Sequence, residues 1–238
     1  MKLGNYAHVS IAVQRLKDSV PFYTRLGFRK LWESDEPAPW MLMTDGKLNV
    51  HLFESLFPSP SLHYFSDHMG DRVLELMRLG IRPEPQRSKD GKRMQHNFLD
   101  PNELTIMLMH FDDAAMPKPN GFSESKLGVF GELSVDTENL EESIAFWQKL
   151  DYSVALRGTR PYPWATMTDG VMTVSFHQTQ AFRTPALTYF TSDVVARLRA
   201  LRADGIEAIG ELHDEHNTTA GAVITAPDGQ VFFLLEGE

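Results

Sequence analysis

The stretch PWMLMTDGKLNVHLF, from Pro39 to Phe53, predicts a β-hairpin that sets the plan of the chain. Two runs of strand-forming residues flank Asp45-Gly46, the dipeptide that a two-residue type I′ turn requires at its positive-φ positions. With that turn, Trp40 faces His51 across the hairpin, and directly opposed residues share one face of a sheet. The sequence therefore predicts a tryptophan and a histidine on one face, with the aliphatic residues of the second strand on the other.

The same hairpin occurs again as PWATMTDGVMTVSF, from Pro163 to Phe176, at an offset of 163 − 39 = 124 residues. Matches extend to either side with small changes of offset, which loop insertions produce. We therefore expect a duplicated domain of about 110 residues rather than a solenoid, whose repeats run about 20–50 residues. Residues 112–125 are rich in Pro, Gly and acidic side chains, which is typical of a linker. The predicted domains are residues 1–111 and 126–238.

Composition limits the classes of function. The 238 residues are 42% hydrophobic and 23% charged, as in ordinary soluble globular proteins. A net charge of −9 argues against a nucleic-acid partner. The chain has no cysteine, so a metal would be held by histidine or oxygen ligands. No apolar run reaches the ~20 residues that cross a bilayer, so we expect no membrane partner. The absence of cysteine fits the cytoplasmic location that we expect.

Strands and a helix follow one another in an order that recurs within the first domain. Residues 7–13 alternate as a strand, residues 17–26 have helical spacing, and the strand at 28–32 precedes the hairpin. From Leu62 the same order returns and ends in a second hairpin over residues 93–110. Each domain thus consists of two βαβββ units, and the chain holds four.

Paired βαβββ units, a helix ending in FYTRLGF and a terminal Asp-Pro turn before an apolar strand resemble the vicinal oxygen chelate superfamily. That superfamily includes glyoxalase I, extradiol dioxygenases, fosfomycin-resistance enzymes and bleomycin-binding proteins. The resemblance covers nearly the whole chain. It implies an α+β fold of two tandem glyoxalase-like domains with mixed, cup-shaped sheets.

The resemblance also implies where a metal would bind, because the family's ligands lie on the first and last strand of each unit. In the first domain those positions hold His8, His51, His63 and Met107. The three histidines are the predicted ligands of a divalent metal (Zn, Fe, Ni or Mn). Glyoxalases and extradiol dioxygenases carry a glutamate at the last position, so Met107 departs from their pattern.

The second domain holds Glu132, Ser175, Thr188 and Phe233 at these positions and offers one good ligand. We expect it to be metal-free, either a copy that stabilises the chain or a separate binding pocket. In this family units pair within a domain or are exchanged between domains or subunits. Pairing within the domain gathers the three histidines, and consecutive elements usually neighbour one another. We therefore expect pairing within each domain.

Strand alternation predicts further side chains in the first cup. With residues 100–103 as the turn of the last hairpin, His96 faces Met107, where it would act as a fourth ligand or a general acid/base. Aromatic side chains with a few polar groups are typical of a small-molecule pocket. The predicted substrate-binding residues are Trp40, Phe53, Phe65, Phe98 and Met107.

Two functions follow from these patterns. The first is a glyoxalase- or dioxygenase-like protein that acts on a small organic molecule through the metal of its N-terminal domain, as a dioxygenase, lyase or isomerase. The second is a metal-free small-molecule binding protein of the bleomycin-resistance type. A small molecule is the predicted partner in both cases, and the sequence leaves a homodimer open.

Overall fold

A computed structural model describes residues 1–87, 94–111, 116–117, 125–213 and 216–237. The first half contains two units of one strand, one helix and three strands. The first unit is β1 (Tyr6–Ala12), α1 (Leu16–Arg25), β2 (Arg29–Ser34), β3 (Trp40–Thr44) and β4 (Asn49–Phe53). The second unit is β5 (Ser61–Ser66), α2 (Met69–Arg78), β6 (Glu84–Arg87), β7 (Met94–Leu99) and β8 (Thr105–His110).

The second half repeats this order. Its first unit is β9 (Val129–Asp136), α3 (Leu140–Lys149), β10 (Ser153–Gly158), β11 (Trp164–Thr168) and β12 (Thr173–His177). Its second unit is β13 (Ala186–Thr191), α4 (Val194–Ala203), β14 (Gly210–His213), β15 (Thr219–Thr225) and β16 (Val231–Glu236). The predicted α+β fold of four βαβββ units is confirmed. Among the described residues, no helix is long and apolar enough to span a membrane.

The strands form two eight-stranded mixed sheets, one for each half of the chain. The first sheet has the order β2-β3-β4-β1-β5-β8-β7-β6, and the second has the order β10-β11-β12-β9-β13-β16-β15-β14. In the first sheet β5 pairs with β1 in antiparallel fashion and with β8 in parallel fashion. Both units of one half therefore share one sheet, which confirms the prediction that units pair within each half.

The connection between β3 and β4 is longer than the predicted two-residue turn. Trp40 pairs with Phe53 and Leu42 with His51, so the register differs by two residues from the prediction. The side chain of Asp45 explains the longer loop, because its Oδ1 accepts the backbone N–H groups of Lys47 at 2.8 Å and Leu48 at 2.7 Å. A shift of two residues preserves the alternation of faces.

The hairpin between β7 and β8 differs by one residue from the prediction. Its loop is residues 100–104, where Asp100 Oδ1 accepts the N–H of Leu104 at 2.8 Å and Glu103 has a φ of 63°. Asn97 therefore pairs with Met107, and His96 pairs with Leu108. A shift of one residue turns every side chain of a strand to the other face.

The described chain divides into two compact units, each of which draws on both halves of the duplication. The first comprises Met1–Ser10, Pro58–Lys118 and Val135–Arg183. Inside it, the buried Trp147 of α3 donates from Nε1 to Asp100 Oδ2 at 3.0 Å. Tyr64 donates to Asp169 Oδ2 at 3.1 Å. These hydrogen bonds join residues that are 47 and 105 positions apart in the chain.

The second compact unit comprises Ile11–Phe57, Pro119–Ser134 and Thr184–Glu238. Tyr23 of α1 donates to Asp228 at 3.3 Å, and Tyr189 of β13 donates to Asp45 at 2.6 Å. The predicted domain bounds, 1–111 and 126–238, stay a prediction. Of the predicted linker 112–125, residues 112–115 and 118–124 lie outside the described part of the chain.

Candidate metal centre

Three histidines lie on three neighbouring strands of the first sheet. His8 of β1 and His63 of β5 are directly opposed, and their ring centroids are 5.3 Å apart. One potential ligand atom from each of His8, His51 and His63 lies within 4.8 Å of the other two. A tetrahedral ion with metal–nitrogen bonds of about 2.1 Å holds its nitrogens about 3.4 Å apart. Rotations of the imidazoles that bring these atoms up to about 1.4 Å closer together would supply three of the four ligands of such an ion.

The environment of these rings suits metal binding. His8 is 3% exposed and His63 is 7% exposed. Burial lowers the pKa of His51 to about 4, so its imidazole is neutral at neutral pH, which is the form that binds a metal. Ser61 Oγ lies 3.0 Å from Nε2 of His63. A hydrogen bond to one ring nitrogen fixes the orientation of a histidine and leaves the other nitrogen as a ligand.

The sheet extends the row of histidines to the fourth predicted position. Met107 of β8 lies beside His63 in the parallel pairing of β5 and β8. Asn97 of β7 lies opposite Met107, so its amide occupies the place predicted for His96. Asn97 Oδ1 is buried and makes no hydrogen bond to any described residue. Sequence reasoning missed Asn97 because the predicted loop was one residue too short. The signal that could have revealed Asn97 is Asp100, since an aspartate in a turn often accepts backbone N–H groups further along the chain and so lengthens the loop.

His96 and Phe98 do not lie on the face that was predicted for them. His96 is opposite Leu108, and Phe98 is opposite Ile106, on the face away from His63 and Met107. Phe98 is buried there against Phe146 of α3, with ring centroids 6.5 Å apart. The placement of His96 beside the metal position and of Phe98 in the cup was therefore wrong, because the loop has one residue more than expected.

The other predicted pocket residues lie on the histidine face. The ring of His51 is 5.2 Å from that of Trp40 and 5.6 Å from that of Phe53. The ring of Phe65 is 5.0 Å from that of His8. Tyr6, which the sequence did not single out, lies 5.9 Å from His8 and edge-on to it. The role of these aromatic residues in substrate binding stays a prediction.

The corresponding positions of the second sheet carry a carboxylate and hydroxyl groups. Thr188 pairs with Glu132 on one side and with Phe233 on the other. Ser134 donates to Glu132 Oε1 at 3.1 Å and lies 2.6 Å from Thr188 Oγ1. Thr166 and Ser175 lie within 3.1 Å of each other through their hydroxyl oxygens. These carboxylate and hydroxyl groups differ in chemistry from the three imidazoles of the first sheet.

Comparison with known proteins gives a family match and a set of similar folds. Residues 5–117, which include all three histidines, match the Glyoxalase/Bleomycin resistance protein/Dioxygenase superfamily. A catechol 2,3-dioxygenase structure superimposes with a TM-score of 0.64 at 13% identity, covering 100% of this chain and 89% of that chain. The comparison with curated proteins found no match.

Two further solved structures share the fold. The 2,3-dioxygenase LapB from Pseudomonas sp. KL28 has a TM-score of 0.64 at 13% identity, covering 97% of this chain and 91% of that chain. Homoprotocatechuate 2,3-dioxygenase from Arthrobacter globiformis has a TM-score of 0.66 at 15% identity, covering 99% of this chain and 80% of that chain. At such identities the likeness shows the fold alone.

Proposed function

We propose, from the match of residues 5–117 to the Glyoxalase/Bleomycin resistance protein/Dioxygenase superfamily, that the protein acts on a small organic molecule through a divalent metal. The observation that carries the proposal is the group of three imidazoles, His8, His51 and His63, whose ligand atoms lie within 4.8 Å. Neutral imidazoles suit Zn²⁺, Fe²⁺ and Ni²⁺. When bound, such an ion would supply Lewis-acid polarisation of substrate oxygens.

The protein's own residues would orient the organic part of the substrate. Trp40 and Phe53 flank His51 on one side of the histidine group, and Phe65 contacts His8 on the other. Apolar walls with a few polar groups are typical of small-molecule sites, and they also exclude water. A flat or ring-shaped substrate fits this lining. The proposed reaction classes are those of a dioxygenase, a lyase or an isomerase.

Metal analysis of the purified protein tests this proposal. We expect about one equivalent of a divalent metal in the wild type and at least a tenfold loss in His8→Ala, His51→Ala and His63→Ala, because each change removes one of three ligands. His110→Ala is the matched control, since His110 is exposed at the end of β8. Stoichiometric metal that survives all three substitutions would contradict the assignment.

A metal-free binding protein of the bleomycin-resistance type is the second candidate. It is favoured by Met107, which stands where metalloenzymes of the family carry a glutamate, and by the hydroxyl network around Glu132. In this case an aromatic ligand should raise the melting temperature equally in EDTA and in zinc-loaded protein. Stabilisation that requires the metal would speak against it.

A further inference from the structure

Met107 belongs to the same cross-strand row as two of the histidines. His8 pairs with His63, and His63 pairs with Met107, on the neighbouring strands β1, β5 and β8. Side chains of paired residues leave the same face of a sheet, on strands about 4.8 Å apart. The adjacent residues Ile106 and Leu108 point the other way and are fully buried. The thioether of Met107 is therefore directed to the space of the imidazoles.

We propose that Met107 is a further ligand of the histidine site and that its thioether makes the site select copper, Cu(I) above all, over hard divalent ions. This inference rests on the proposed metal site. Thioethers are soft donors that favour Cu(I), and imidazole also binds copper, whereas Mn²⁺ prefers oxygen ligands. The chain has no cysteine, so methionine is the soft donor available to it.

Charge supports the same selectivity. Three neutral imidazoles and a thioether do not compensate the charge of a bound ion, and the next residue in the row, Asn97, is a neutral amide. The Born cost of burying an ion rises with the square of its charge, so a divalent ion costs about four times as much as a monovalent one. A carboxylate would offset part of the cost of a divalent ion, and the row has none at the position of Met107.

Met109 provides a matched control on the same strand face. It lies two residues beyond Met107, pairs with Phe65, and packs in an apolar cluster with Tyr6 and Met116. Its thioether is thus placed for hydrophobic packing, two residues along the strand from the position that faces His63. Removing the sulfur at either position by substitution with leucine nearly conserves side-chain volume, so both variants should fold.

The test measures the affinities of Cu(I) and Zn(II) by competition with chromophoric chelators, under anaerobic conditions for Cu(I). Met107→Leu should weaken Cu(I) binding about tenfold or more, the size of effect typical at a metal site, and change Zn(II) binding much less. Met107→Glu should shift the preference toward Zn(II) and Mn(II), because it supplies a hard anionic ligand. Met109→Leu should change neither affinity.

The outcomes separate this inference from the proposed function. A wild-type protein that binds none of Cu(I), Zn(II), Fe(II) and Ni(II) overturns both. Zinc bound through the histidines, together with a Cu(I)/Zn(II) affinity ratio that is the same in wild type and Met107→Leu, overturns the role of Met107 alone. An equal loss of Cu(I) affinity in Met107→Leu and Met109→Leu also overturns it, since the effect would then come from packing. Circular dichroism checks that each variant is folded.

Discussion

Tyr189→Phe removes one hydroxyl group and should destabilise the protein more at neutral pH than at acidic pH. Tyr189 Oη donates to Asp45 Oδ2 at 2.6 Å, and both residues are fully buried. The other carboxylate oxygen accepts the N–H groups of Lys47 and Leu48 in the hairpin loop. Without the hydroxyl, Oδ2 loses its donor in a place that solvent does not reach.

The size of the effect depends on the charge of Asp45. A hydrogen bond to a charged group contributes about 1.5–3 kcal/mol, and one between neutral groups about 0.5–1.5 kcal/mol. We therefore expect Tyr189→Phe to lower the free energy of unfolding by about 2 kcal/mol at pH 7. For a chain of this length, that loss corresponds to a melting temperature lower by about 4–8 °C.

The pH dependence follows from the pKa of Asp45. Burial raises this pKa above its ordinary value of 3.8, and the hydrogen bond from Tyr189 opposes the rise. Because the folded pKa exceeds the unfolded one, the carboxyl favours folding most below the unfolded pKa, and this contribution is lost as the pH rises through the folded pKa. Tyr189→Phe raises the folded pKa further. Its cost should therefore be greatest above both values and fall to that of a neutral hydrogen bond below the ordinary value of 3.8, where the folded carboxyl is protonated.

Urea unfolding at pH 7, and at a pH of 3.5 or below at which the protein is still folded without urea, measures the loss of stability and its dependence on pH. A double-mutant cycle with Asp45→Asn should give a coupling energy of about 1–2 kcal/mol at pH 7. A loss under about 0.5 kcal/mol at pH 7, or an equal loss at both pH values, would refute the view that the hydroxyl satisfies a buried carboxylate. Since Asp45 and Tyr189 come from different halves of the chain, the cycle also measures the coupling energy of one contact between the halves.

Two further changes test other parts of the structure. Burial lowers the pKa of His51 from 6.5 to about 4, so between these values the folded metal-free protein binds fewer protons than the unfolded chain and loses stability as the pH falls. In EDTA, the free energy of unfolding should fall by roughly 1–2 kcal/mol between pH 7 and pH 4.5, a value reduced for the partial exposure of the ring. If the free energy of unfolding of His51→Gln falls with the same slope as that of the wild type, the prediction is wrong. A Cβ at Gly4 would lie 2.3 Å from the carbonyl oxygen of Phe65, whereas nothing lies within 4 Å of one at Gly70. In urea unfolding, Gly4→Ala should cost about 2 kcal/mol or more, whereas Gly70→Ala, in helix α2, should cost nothing and stabilise by up to about 1 kcal/mol. Equal midpoints would show that the backbone at Gly4 adjusts freely.

The duplication and the order of elements could be predicted from the sequence because their signals are local. Alternating strands, helical spacing and glycine stops depend on near neighbours, and the repeated hairpin relates the two halves directly. The pairing of units within each half followed from chain order, since consecutive elements usually lie side by side. The three histidines could be placed because strand alternation and the resemblance both predicted them on one face of the sheet.

Loop length limited the prediction of individual side chains. In two hairpins an aspartate accepts backbone N–H groups two to four residues further on, which adds residues to the loop. At Asp45 the shift was two residues, so Trp40 and His51 stayed on one face. At Asp100 it was one residue, so His96 left the predicted position and Asn97 took it. The same error in loop chemistry is harmless or decisive according to whether the shift is even or odd.

Contacts between distant residues could not be paired from local patterns. Trp147 and Tyr23 are buried aromatic residues whose N–H and O–H groups need a hydrogen-bond acceptor. Their acceptors, Asp100 and Asp228, lie in the other half of the chain. Periodicity shows that such residues are buried but does not identify their partners. The repeat held a clue to such partners, because in both halves a tyrosine, Tyr64 or Tyr189, follows the aspartate of the hairpin loop at nearly the same offset.

The two halves differ where the fold does not require them to be alike. Both retain a loop aspartate bonded to a buried tyrosine, through Asp45 with Tyr189 and Asp169 with Tyr64, so this pairing serves the scaffold. At the family's metal positions the second half places Glu132 among hydroxyl donors, which compensates its carboxylate within the protein. The first half instead directs nitrogen ligands from three strands toward one point. Because one scaffold supports both arrangements, the fold itself does not require the imidazoles to converge, and the proposed metal site accounts for their convergence.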